Sequence, residues 1–383
     1  MTVRITWDQA SARRLERQFL ATPAEGATAA SEIVGAMLAA HAQVLSAAEV
    51  SIGVRGTGTT RADVRAALWE ERSLVKTHGP RGTVHLLAAR ELPLWSTALT
   101  AVPSGAGPLP PDARVTEEQA AQIVAAVGEA LDGVCLTVDE LTDAVVARTG
   151  SWAGDPVMPA FQELWPRWRQ VMHRAGQSGA LCFGPNRGRK VTYTRPPHFV
   201  PLPPQEATRE LVRRYLRAYG PSTPAYFAKW LAAPGGWAGA LFGELARAGE
   251  IEEVVFEDAP AWVAAGDTAF PDEPVRGVRL LPYFDAYGIA VQPRELLFPG
   301  AAYRRALAGG QAGNYPVLLV DGVVAGVWHQ RRQGRRTTVT VEPLGRLTAR
   351  QRRELGEQVE RVGDVLQAKA ELVVGQVTTG PHA

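Results

Sequence analysis

Apolar positions in the first ninety residues repeat at helical spacing and then switch to a strand period. Trp7, Ala10, Leu15 and Phe19 mark a helix over residues 7–19, and Ile33, Met37 and Leu38 mark a second over 29–40. Residues 46–54 and 60–68 predict two more helices. The chain then runs Leu74-Val75-Lys76-Thr77, His78-Gly79-Pro80-Arg81-Gly82, Thr83-Val84-His85-Leu86-Leu87, which is strand, Gly/Pro turn and strand. Helices closed by such a hairpin are the outline of a winged helix, the hairpin being the wing. Pro103 to Pro111 is a Pro/Gly-rich linker.

The order then recurs. A helix over Thr116–Leu131 opens on the capping-box sequence Thr116-Glu117-Glu118-Gln119, and Thr137-Val138-Asp139-Glu140 repeats that start for a helix to Arg148. Residues 161–175, with Trp165, Trp168 and Val171 at spacings of three, predict a third helix. A second hairpin follows, 180–183 and 189–193, with Arg187, Arg189 and Lys190 at its tip. After the Pro196–Pro204 linker come helices over 206–218, 223–231 and 238–247, then short strands at 251–256 and 261–265 that make a third, acidic hairpin. Strands at 279–285, 317–320, 323–328, 337–341 and 371–374, with one charged helix over 348–366, change the character of the remainder. The pattern predicts an α+β fold with three tandem winged-helix units, 1–112, 113–202 and 203–272, and a β-rich domain over 273–383.

Composition narrows the classes. The chain has 383 residues, 46% of them hydrophobic, enough for several cores. No run of about 18 apolar residues suggests a membrane span, and the charged N-terminus lacks the apolar centre of a signal peptide, so a cytoplasmic location is expected. Cys135 and Cys182 are the only cysteines, and no Cys/His cluster has metal-ligand spacing; neither a metal nor a cofactor is expected. The net charge is only +2, yet of the 41 basic residues only Lys76, Lys190, Lys229 and Lys369 are lysines. Arginine presents a planar fork to phosphates and base edges. A bias that also lifts Ala and Gly is compositional, so clusters carry the information. Arg81 sits on the first hairpin turn, flanked by His78 and His85, which reach DNA or stabilise the hairpin. The densest basic tip is Arg331-Arg332-Gln333-Gly334-Arg335-Arg336, where Arg331, Arg332, Arg335 and Arg336 are expected to contact DNA. Wings laying Arg on phosphates while a helix enters a groove would give salt-sensitive binding.

Several short runs resemble one family. Leu38 to Arg55, Arg81-Gly82-Thr83-Val84-His85-Leu86, Gly188-Arg189-Lys190-Val191, Tyr219-Gly220-Pro221, Leu280-Leu281-Pro282-Tyr283-Phe284-Asp285 and Asp321 to Trp328 occur in the order seen in the winged-helix DNA-binding family of AlkZ- and YcaQ-type alkylpurine DNA glycosylases. The resemblance spans nearly the whole chain. It implies three winged-helix units and a C-terminal β-barrel-like part arranged as a C around DNA. It also implies a catalytic pair two residues apart, Gln-x-Gln in AlkZ-like members and Gln-x-Asp in YcaQ-like ones. That pair falls on His41 and Gln43, with His in place of the first Gln.

Residues two apart share a side only on extended backbone, since on a helix they diverge by about 200°. The catalytic reading therefore requires a break between the helix ending near Ala40 and the next, for which Ser46 is the expected N-cap. An alkylated purine carries a positive charge that weakens its glycosidic bond, so the pair need only place a water. Gln43 would hold it through its amide oxygen and His41 would orient it or take its proton. No lysine is called for, which predicts a monofunctional glycosylase. Glu49 either assists electrostatically or, set on a helix among Ala47, Ala48 and Val50, is structural, and Asp285 reads as structural. No aromatic residue lies between Phe19 and Trp69, which points to attack from the groove without a stacking pocket. The expected partner is duplex DNA bearing alkylated purines, bound by a monomer. A non-enzymatic winged-helix regulator is the alternative, and would footprint sequence without regard to lesions; an interaction scaffold would not bind DNA at low salt.

Overall fold

The computed structural model describes residues 3–25, 29–103, 109–160, 163–307, 309–334 and 336–381. The chain divides into two compact units, Met1–Ala67 with Leu211–Ala383, and Leu68–Glu210. Both mix helices and strands.

The first unit begins with β1 (Arg4–Ile5) and α1 (Trp7–Arg17). Thr6 and Gln9 form a reciprocal capping box that fixes where α1 starts. The helix α2 (Ala30–Ala36) ends four residues short of the predicted boundary, because Leu38 (φ 55) and Ala39 (φ 86) are both left-handed. Two such non-glycine residues in succession cost roughly 1 kcal/mol each and turn the chain into the extended pair β2 (Ala40–His41). Then α3 (Leu45–Gly53) begins after Val44, which caps without a side-chain bond; Ser46 lies inside the first turn and is not the N-cap. The helix α4 (Arg61–Trp69) follows.

In the second unit β3 (Leu74–His78) and β4 (Val84–Ala88) pair antiparallel as the first predicted hairpin. After α5 (Leu92–Thr100), the capping boxes at Thr116 and Thr137 open α6 (Glu117–Ala130) and, behind β5 (Leu136–Thr137), α7 (Val138–Thr149), as the sequence predicts. The helix predicted over 161–175 is a correction. Residues 161–162 lie outside the described ones, β6 (Pro156–Pro159) pairs with β7 (Leu164–Pro166), and a 3-10 turn precedes α8 (Met172–Gln177). Pro166 has no N–H to donate and cannot sit inside a helix. The regular spacing of its tryptophans instead turns Trp168 into the core, where its Nε1 donates to Thr142 at 3.0 Å, and leaves Trp165 under the Arg169 guanidinium. The second hairpin, β8 (Cys182–Arg187) and β9 (Lys190–Thr194), pairs with β5, and Trp168, Leu141, Val145 and Leu181 are buried beneath it. Each such fully buried side chain contributes about 1.5–3 kcal/mol.

The chain returns to the first unit along α9 (Pro204–Tyr219). An aromatic cluster of Tyr215, Tyr219, Phe227, Trp230 and Phe242 binds α9 to α10 (Pro224–Leu231) and α11 (Gly235–Arg247). The acidic hairpin β10 (Ile251–Phe256) and β11 (Ala259–Ala264) is extended by β1, which lies parallel to β10. Next come β12 (Val278–Leu281), α12 (Ala286–Ala290), α13 (Arg294–Leu297), α14 (Ala301–Ala306), β13 (Val317–Val320), β14 (Val323–Gln333), β15 (Arg336–Pro343), α15 (Ala349–Leu366) and β16 (Lys369–Val374). The five strands form one sheet in chain order, a curled half-barrel with β12 and β16 as its edges. Trp328, Val339 and Val341 on this sheet meet Leu355, Val359 and Val365 of α15, and Val50 of α3 joins the same core. Gly53 of α3 lies where a Cβ would sit 2.5 Å from the Val365 methyls, so α3 packs closely on α15. Among the described residues no helix is long and apolar enough to cross a membrane.

Candidate active site and nucleic-acid-facing hairpins

The extended break that the paired residues need is present. Ala40 and Ala42 are fully buried, His41 is half-buried and Gln43 is exposed; the backbone is extended at Ala40–His41 and bends at Gln43 and Val44 before α3. Tyr219 anchors the turn above by donating its hydroxyl to the Met37 carbonyl. The His41 imidazole lies 4.5 Å, ring to ring, from Phe284, tilted by 32°. This corrects the expectation of a segment without a neighbouring aromatic: the ring comes from a residue more than 240 positions away, which only the fold brings near. Phe284 itself is left-handed (φ 55), held by its N–H to Gly313 at 3.0 Å.

Asp285, the next residue, is nearly inaccessible. It accepts from Arg55 through both oxygens, 2.7 and 2.8 Å, from the Ser51 hydroxyl, and from the Tyr287 N–H at 3.0 Å, which caps α12. Arg55 also donates to the Ser51 carbonyl at 2.7 Å. The pair thus fastens the end of α3 to the turn that carries Phe284. On another face of α3, buried Glu49 binds Arg65 at 2.6 Å, with Arg61 at 3.8 Å. Both acids tie α3 to neighbouring elements of this unit. Neither Lys76 nor Lys190 belongs to this unit, and the His41–Gln43 segment contains no lysine.

The hairpins differ in how free their cations are. Arg81 is half-buried at a left-handed turn position (φ 62). His85 is buried, with Nδ1 2.9 Å from the Thr83 carbonyl and its ring against Gly79, so it closes the hairpin instead of facing solvent. At the second tip, Arg187 holds Glu140 at 2.8 Å and the Cys135 carbonyl at 2.9 Å, while Lys190 holds Asp139 at 2.8 Å. Both acids lie in the first turn of α7. Asp139 accordingly raises the Lys190 pKa. Arg189 is exposed and has no ion pair among the described residues. At the third tip, Arg331, Arg332 and Arg336 are exposed around Gly334 (φ 61); Arg335 lies outside the described residues. The sequence reading missed Lys369, which stands directly opposite Arg336 because β16 returns parallel to β15. Like charges facing each other across strands are unfavourable, and among the described residues neither has an acidic partner. A parallel return through α15 leaves no local trace in the sequence, so only the register reveals it. No group of three or more metal-ligating side chains occurs among the described residues.

Comparison with known proteins agrees in direction. A family model described as DNA glycosylase AlkZ-like matches residues 34–365. A curated protein of Streptomyces sahachiroi, described as an interstrand DNA cross-link repair glycosylase, is 32% identical over 339 residues, 85% of this chain and 88% of that protein. The solved structure of the Streptomyces sahachiroi DNA glycosylase AlkZ superposes with a TM-score of 0.82 at 28% identity, over 97% of this chain and 100% of that one.

Proposed function

The chain belongs to the AlkZ-like DNA glycosylase family, and on that premise we propose that it hydrolyses the N-glycosidic bond of N7- or N3-alkylated purines in duplex DNA, bulky adducts and interstrand cross-links included. The observation that supports the reading is the break after α2, extended at Ala40–His41, which leaves His41 half-buried and Gln43 exposed on either side of the buried Ala42. The leaving base is already cationic, so the enzyme need not protonate it. Gln43 accepts a hydrogen bond from the attacking water, and the imidazole takes the proton released as oxygen bonds to C1′. Phe284 fixes the imidazole plane from behind. No covalent enzyme intermediate is required, which makes the enzyme monofunctional.

In this reading the three helix–hairpin groupings act as winged-helix units over 1–112, 113–202 and 203–272, with the β-rich part over 273–383, and a monomer holds the duplex. Arg81, Arg189 and the Arg331, Arg332, Arg336 tip lie on phosphates, joined by Lys369; Arg187 and Lys190 can follow by exchanging their exposed carboxylate partners, since such pairs are worth at most about 1 kcal/mol. His in place of the first Gln, beside the second Gln of the AlkZ-like pattern, favours self-protection against a DNA-alkylating product over general repair. The test is to incubate the protein with duplexes carrying N7-methylguanine or a bulkier N7 adduct and cleave abasic sites with alkali. Excision of either supports the reading; excision of neither refutes it. His41→Gln, which restores the Gln-x-Gln pattern but offers no basic nitrogen for the proton, is expected to excise more slowly than wild type and faster than His41→Ala.

A further inference from the structure

We propose that the unit Leu68–Glu210 carries a second binding site, distinct from the His41 segment, that takes a planar aromatic anion. A pocket of about 760 Å³ opens there, within the size range of small-molecule sites. Three partly exposed aromatic rings, Trp69, Phe183 and Phe199, line it together with the cations Arg72, Lys76 and Arg195. Its one lining carboxylate, Asp132, is occupied by Arg195 at 3.1 Å. The remaining charge is therefore an excess of cations beside stacking surfaces.

Two features look built for a ligand instead of for folding. Lys76 is half-buried on β3, its Nζ 5.0 Å from the Phe183 ring centre, and among the described residues it has no acidic partner. Burial lowers its pKa, the sign of an ammonium held without a counter-ion. Arg72 occupies a left-handed position (φ 57) three residues past the end of α4, where glycine would be unstrained. Its guanidinium donates to the Arg195 carbonyl and reaches the Cys182 thiol. That thiol is pushed up to about 12 by burial and so stays neutral, adding no negative charge to the wall. Glycine at 184 keeps the wall open, since a Cβ there would meet Thr192 Oγ1 at 2.7 Å. Pro196, Pro197 and Pro201 stiffen the rim. An aromatic ring would lie among the three rings while its anionic group met Lys76 and Arg72, as cation-assisted contacts require.

The shared chemistry fits a nucleoside monophosphate or a non-nucleotide aromatic acid. The experiment titrates the full-length protein with 1-anilinonaphthalene-8-sulfonate, following its fluorescence, and then displaces the dye. Saturable binding is expected, weakened about tenfold or more in Lys76→Met, the effect of removing one charge-assisted hydrogen bond. Arg195→Met, a change at an exposed pair that leaves folding intact, should weaken it several-fold and serves if Lys76→Met does not fold. Displacement by guanosine monophosphate would assign a nucleotide, and displacement by 2-naphthoate alone would assign an aromatic acid; both support the site. Absence of saturable binding, unchanged affinity in these variants, or equal displacement by inorganic phosphate would overturn it.

Discussion

Replacing Asp285 by Ala tests how the His41 segment is held. The carboxylate gathers four hydrogen bonds from Arg55, Ser51 and Tyr287, and the Arg55 and Asp285 side chains are 0% and 2% exposed. Removing it leaves a guanidinium buried without its counter-charge, a loss of about 3–5 kcal/mol. The N-cap of α12 disappears as well, adding roughly 1 kcal/mol. At roughly 2–4 °C per kcal/mol for a chain larger than about 150 residues, the melting temperature should fall on the order of 10 °C or more. Excision should fall too, because Phe284 precedes Asp285 and packs its ring, tilted, against His41. Thermal melting by circular dichroism, with single-turnover excision on the same samples, reads both. The double change Arg55→Met with Asp285→Leu should recover most of the stability, since an apolar pair of similar volume replaces a buried ion pair without the unmatched charge. An Asp285→Ala variant melting within about 2 °C of the wild type, the shift of less than 1 kcal/mol, would refute the idea that this pair pins the site.

Other consequences follow from the same geometry. Burial pushes His78 down to about 4 from 6.5, and His173 beside it shifts in the same direction. The folded state therefore favours the neutral rings: their stabilisation is complete above about pH 6.5 and is lost as pH falls towards 4, by up to about 3 kcal/mol for His78. His78→Asn should flatten the fall in melting temperature between about pH 6.5 and about pH 4, the window in which His78 loses its stabilisation; an unchanged fall would refute this assignment. Ala at Arg331 and Arg332 should weaken duplex binding and lower the salt slope by roughly one unit for each phosphate no longer neutralised, measured by fluorescence anisotropy from low to moderate salt. Arg189→Ala should weaken binding more than Lys190→Ala, because Lys190 already shares its charge with Asp139; equal losses would contradict that difference.

How much of this the sequence displayed depends on how local each cause is. The capping boxes at Thr116 and Thr137, and the hairpins around Gly82, Gly188 and Gly334, are written in a few neighbouring residues and are legible there. The helix expected over 161–175 fails because a spacing of three fits a 3-10 turn as well as a helix, and Pro166 settles the choice. The break before His41 is required by chemistry and is made by Leu38 and Ala39, residues with no turn preference of their own; packing, not propensity, holds them left-handed. Phe284 against His41, Arg55 on Asp285 and Lys369 opposite Arg336 all join residues far apart in the chain. Such pairings follow from sheet order and register, and no periodicity reports them.

Everything proposed for the chemistry turns on His41 and Gln43 placing the water that cleaves the glycosidic bond. The most direct test is the single-turnover excision rate of wild type, His41→Ala and Gln43→Ala on one duplex with a defined N7-alkylguanine, with binding measured on the same duplex. The expected result is a rate lowered about 10²–10⁴-fold in each variant while affinity stays within about twofold. A rate that survives both substitutions at wild-type level would place the chemistry elsewhere and contradict the assignment of these two residues.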